Sequence, residues 1–292
     1  MDDSTGFEDL ELFALDSELP TLGGSPGITQ GAYGERGNLE LVVPDEIDGI
    51  WVFWNNSDVG GRKVGARPGC WSGGLRFAHG SRYDGAAIVQ SQHGPKWLEV
   101  IATGDGQARR FTWRPESGFS ETDEPWPAIG SPAAVESHAG NLYFATISPD
   151  RSIEVRIRGE IVQRVDATRE VRAVGLIGEG RLIWTDGCSV RGAFGERDIG
   201  ATPIAAVANR LAWVVKDQVI LDHGPVLHLS NAPHDIALAE SFVGRHQLEL
   251  VARSDDGLWH ARLDVATDSW ISLSPVRSQI WAPTGTSPIH RG

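Results

Sequence analysis

A short phrase keeps returning along this chain. Leu39-Glu40-Leu41-Val42, Leu98-Glu99-Val100-Ile101 and Leu248-Glu249-Leu250-Val251 are near copies of one another. Weaker versions stand at Leu142-Tyr143-Phe144, Leu182-Ile183-Trp184 and Leu211-Ala212-Trp213. A unit recurring every few tens of residues announces a repeat architecture, in which each unit buries its apolar face against the next. Each phrase follows a run of small apolar residues, such as Pro26-Gly27-Ile28-Thr29, Ala86-Ala87-Ile88-Val89, Ala133-Ala134-Val135 and Ala205-Ala206-Val207. Ala and Gly are poor strand formers, so their persistence needs a cause beyond propensity. Strands crowded around an axis supply one, since small side chains let backbones approach closely.

Further strands complete the unit. Ile50 to Trp54, Arg109 to Trp113, Ile153 to Arg158, Val219 to Leu221 and Leu258 to Asp264 form a third strand. Hairpin punctuation precedes several of them, as at Asp48-Gly49, Gly104-Asp105-Gly106 and Asp255-Asp256-Gly257. A fourth strand is expected near Trp71 to Phe77, Ile161 to Val165, Val226 to Leu229 and Trp270 to Leu273. Four antiparallel strands per unit, repeated around an axis, describe an all-β propeller. Inner strands begin near residues 26, 84, 132, 171, 203 and 235. The wrap from the last of these back to the first spans roughly 80 residues, long enough for two units, which predicts seven blades, with six as the alternative. The seventh inner strand falls near Val276 to Ala282. Leu10-Glu11-Leu12-Phe13 again resembles the phrase, and pairing it with the C-terminal segment would close the ring and remove a sheet edge. No linker interrupts the repeats, so residues 1–292 read as one domain.

Composition excludes several functions. The formal charge of −13 argues against binding a nucleic-acid backbone, which relies on counterion release from basic surfaces. No apolar run approaches membrane-spanning length, and Met1 to Thr5 lacks the basic, apolar character of a signal peptide. The expected location is the cytoplasm, with non-classical export as the alternative. Cys70 and Cys188 are isolated thiols whose spacing leaves pairing open. No nucleophile elbow, phosphate-cradling loop or clustered zinc motif occurs, so neither cofactor nor metal is expected.

The stretches GNLELVV…GIWVFW (37–54), KWLEVIATGDGQARRFTWR (96–114) and QLELVARSDDGLWHARLD (247–264) resemble the repeat of fucose-binding-type propeller lectins. So does the inner-strand element from Tyr83 to Ser91, and the resemblance covers residues 24–114 and 234–264. It implies shallow sugar pockets between neighbouring blades, walled by Trp and Arg of the third strand and its adjoining loop. Carried over by position, the ligand-binding candidates are Trp54, Asn55, Asn56, Trp113, Arg114, Trp259 and Arg262. Aromatic faces suit the apolar side of a pyranose, although the same Trp residues could wedge between blades as core.

Three functional classes follow. A lectin-like protein would bind a glycan or a small polar ligand without chemistry. A single-pocket enzyme performing cyclisation or alkylation would draw on His93, His138, His234, Asp84 and Asp235 as acid or base. A protein-interaction platform would use one face of the disc. His93, His138 and His246 lie where the chain leaves an inner strand, which places them on a common face.

Overall fold

The computed structural model describes residues 21–276, apart from 34–35, 58–68, 73, 168, 200–201, 209 and 242–245. Every element among the described residues is a strand, arranged as six antiparallel sheets, each ordered consecutively from an inner to an outer strand. Blade 1 holds Gly27–Gln30, Leu39–Pro44, Ile50–Asn55 and Leu75–Phe77. Blade 2 holds Gly85–Gln90, Leu98–Gly104, Gln107–Arg114 and Gly118–Glu121, with Trp126–Pro127 pairing back on its third strand. Blade 3 runs from Ile129–Glu136 out to Glu160–Val165, and blade 4 from Ala173–Ile177 out to Arg197–Asp198. Blade 5 runs from Ile204–Val207 out to Leu227–His228, and blade 6 from Asp235–Ser241 out to Ser269–Pro275. The fold is a six-bladed β-propeller.

The favoured count of seven blades gives way to the alternative of six, and packing supplies the reason. Apolar residues form six clusters, one in each gap between neighbouring blades. The cluster that joins blade 6 to blade 1 unites Ala237, Ala239, Val251 and Leu258 with Ile28, Leu39, Leu41, Trp51, Phe53 and Trp71. The inner strands of these two blades lie side by side, leaving no gap for a further sheet. The proposed seventh inner strand from Val276 to Ala282 and the phrase at Leu10 to Phe13 fall, but for Val276, outside the described residues. Val276 itself packs into the closing cluster.

Small side chains do serve the hub. A Cβ on Gly27 would sit 2.8 Å from the Ala86 carbonyl oxygen and the Ala87 Cα, so the inner strands of blades 1 and 2 meet backbone to backbone. Tight hairpins join the strands beyond. Asp105 and Gly106, at φ 52° and 74°, adopt the two consecutive left-handed conformations that a two-residue turn demands. Cys70 and Cys188 are both free thiols.

Gly27 lies in a strand conformation open to any residue, so the cost of enlarging it is steric. Gly27→Val should lower stability by about 1–3 kcal/mol, the usual range for overpacking. Thermal denaturation checks this, and an unchanged midpoint would mean that the hub has slack.

Candidate functional site

Strand alternation sends successive side chains to opposite faces of a blade, and this decides what the predicted site residues can share. Glu40 faces blade 2 together with Val42 and Val52, which pack in the gap between blades 1 and 2. Glu99 faces blade 3 beside Ile101, and Glu249 faces blade 1 beside Val251. The repeated phrase therefore delivers one buried carboxyl to each of three gaps.

The three carboxyls meet different surroundings. Glu99 receives Arg110 Nε at 3.1 Å and Thr112 Oγ1 at 2.8 Å. Glu249 receives Arg262 Nε and His260 Nε2, each at 2.8 Å, and Ser241 Oγ at 2.7 Å. The bond to His260 and the charges of His260 and Arg262 hold Glu249 below the usual carboxylate range despite its burial. Glu40 has no such partner: Trp54 stands directly opposite it and Val52 diagonally, where blade 6 places Arg262 and His260. Burial with no compensating cation pushes the Glu40 carboxyl up to about 8.

Around Glu40 the gap is aromatic. Trp54 is half-buried across from it. Tyr33, in the loop after the first strand, meets Trp113 edge-on with ring centroids 4.7 Å apart and donates its hydroxyl to the Lys96 carbonyl at 2.8 Å. Burial and the neighbouring Glu40 and Glu116 push that phenol up to about 12.

The remaining candidates are dispersed. Trp113 is buried in the gap toward blade 1, whereas Arg114 stacks over Trp97 at 4.2 Å at the strand's end. Asn55 Nδ2 donates to the Gly69 carbonyl at 3.3 Å, and Asn56 bonds through its backbone to Cys70 and Gly69. Both asparagines are buried and fasten the turn that follows the third strand. Trp259 packs toward blade 5 with Nε1 on Asp256, while Arg262 faces blade 1 on Glu249. Trp71, fully buried, meets His260 edge-on across the closing gap.

The acid–base candidates occupy opposite ends of the axis. Asp84, His234 and Asp235 lie where inner strands begin, and His93 and His138 where they end. An inner strand of six residues separates the two groups by roughly 20 Å, so the five do not form one catalytic centre. At the first end Ser25 Oγ bonds both Asp235 of blade 6 and Ser131 of blade 3, and Arg253 Nη2 braces Asp235 at 2.6 Å. This polar knot ties blades 1, 3 and 6 together at that end of the axis. At the other end a cavity of about 550 Å³ opens between the six inner strands, lined at its mouth by His93, His138, Gln92, Glu136 and Glu240. Among the described residues no group of three His, Cys, Asp or Glu could hold a metal ion.

No protein-family model and no curated protein sequence matches the chain. Solved structures share its fold. The SapL1 lectin in complex with α-methyl fucoside is 13% identical, covers 91% of this chain and 98% of its own, and superposes with a TM-score of 0.61. The fungal lectin of Aleuria aurantia, a six-bladed propeller that recognises fucose, is 13% identical over 88% of this chain and 98% of its own, at 0.58. A streptogramin B lyase is 14% identical over 87% of this chain and 84% of its own, at 0.51. Binding proteins and an enzyme alike populate this fold, so the site must carry the function.

The state of Glu40 is measurable. In the unfolded chain its carboxyl ionises near the ordinary 4.5, while the folded protein keeps the proton to about pH 8. The native state then holds the extra proton, and stability falls as pH rises through that window. Urea denaturation should show Glu40→Gln more stable than wild type at pH 8 and close to it at pH 5; parallel pH profiles would refute the assignment.

Proposed function

We propose that this protein is a lectin-like propeller that binds a glycan, or a small polar ligand with an apolar face, between blades 1 and 2 and performs no chemistry on it. One observation carries the reading: of the three carboxyls that the repeat delivers to gaps between blades, Glu40 alone has no hydrogen bond or ion pair within the described residues, and it sits opposite a half-buried Trp. A buried polar group without a partner is costly unless a ligand supplies one. Sugar hydroxyls both donate and accept, which suits a carboxyl that is protonated at neutral pH. The apolar face of a pyranose suits Trp54 and the rim formed by Tyr33 and Trp113. The fold that this chain shares with fucose-binding lectins supports the same reading.

A glycan array, followed by calorimetry on the best binder, tests it. Trp54→Ala should weaken binding about tenfold to a hundredfold, within the range of a hot-spot aromatic, and Glu40→Leu should do likewise. Trp113→Ala is the poorer probe, because emptying a buried Trp site costs about 3–5 kcal/mol of stability in itself. Absence of any glycan signal with folded wild-type protein would overturn the proposal.

A further inference from the structure

We infer that the axial cavity is a second binding site, for an amphiphilic organic cation: an apolar chain carrying an ammonium head. The cavity is a cup between the inner strands, open toward the loops that leave them, while the knot of Ser25, Ser131 and Asp235 ties three blades together at the opposite end of the axis. Its volume of about 550 Å³ lies within the range of small-molecule sites.

Each blade contributes an apolar residue to the wall, in order Ile28, Ile88, Val135, Leu176, Val207 and Leu238. Water against such a wall is released when an apolar chain enters. Glu136 and Glu240 line the mouth together with His93 and His138, and no Lys or Arg lines it among the described residues. The Glu136 carboxylate is fixed in place by Ser91 Oγ at 3.0 Å and by the Gln92 and His93 amides, with the His93 Nδ1 3.7 Å away. Glu240 accepts only from His246 Nε2, at 3.0 Å on Oε1, and its Oε2 has no hydrogen bond within the described residues. A cationic head anchored on Glu240 leaves its chain against the wall beneath. The net charge of −13 raises the local concentration of cations and disfavours anions.

The test titrates octylammonium, 1-octanol and octanoate into the whole protein by calorimetry. Octylammonium should bind saturably at one site, at least tenfold more tightly than 1-octanol, with octanoate weakest. Glu240→Gln, at the half-exposed mouth, should weaken octylammonium at least fivefold and leave 1-octanol unchanged. Val207→Phe, which fills the cup, should weaken both. Trp54→Ala should leave octylammonium binding intact, which separates this site from the proposed glycan site between blades 1 and 2. Octanoate binding as tightly as octylammonium, non-saturable uptake of all three, no binding of octylammonium, or indifference to both cup variants would each overturn the inference.

Discussion

Six inner strands converging on one axis set the terms for everything else in this molecule. Their backbones come so close that Gly27 cannot carry a side chain without meeting the backbone at Ala86 and Ala87. The small-residue runs before each repeated phrase answer that requirement, against the ordinary preference of strands for β-branched and aromatic residues. Because the hub is tight, the larger side chains are displaced outward into the gaps between blades. There they form six separate apolar clusters rather than one central core. Stability is therefore drawn from the inter-blade space in which the proposed glycan site also lies.

The repeat was legible because its signal is local. Period-two patterning, hairpin glycines and the Leu-Glu phrase located the second and third strands of blades 1, 2 and 6 to within three residues. Blade 4 shows less, since its third strand is only Ser189–Gly192 and its fourth only Arg197–Asp198. The number of blades was harder to read. Spacing along the chain does not reveal that blade 6 already packs on blade 1, a contact between residues more than two hundred positions apart. The Trp and Arg of the third strands misdirect for a different reason. Residues an odd number of positions apart on a strand point to opposite faces, so Trp113 and Arg114 do not share a face, nor do Trp259 and Arg262.

Arg is also used in ways that sequence spacing conceals. Arg110 lies over Phe144, Arg156 over Trp126 and Arg191 over Trp184, each 5.2 or 5.3 Å from the ring centroid. These stacks tie third strands to aromatic rings inside the scaffold. What marks Glu40 out is the absence of such an arrangement. Its cross-strand neighbours, Trp54 and Val52, could have been read from the hairpin register, and they predict a carboxyl without a cation.

The two ends of the axis are built by different chemistry. At the end where inner strands begin, hydroxyls and the Asp235–Arg253 pair bind three blades into one knot. At the open end, side chains reach from one blade to the backbone of the blade before it. Gln90 accepts the Ala32 amide, Glu136 the Gln92 amide and Glu179 the His138 amide. These latches spend the polar groups of the rim on holding neighbouring turns in place, without covering the axis. A mouth fixed in that way loses little freedom when a ligand enters, and ordering is a main cost of binding. Latched turns thus make the cup a preformed cavity, in contrast to the proposed site beside Glu40, where a ligand would itself complete the hydrogen bonding of a buried carboxyl.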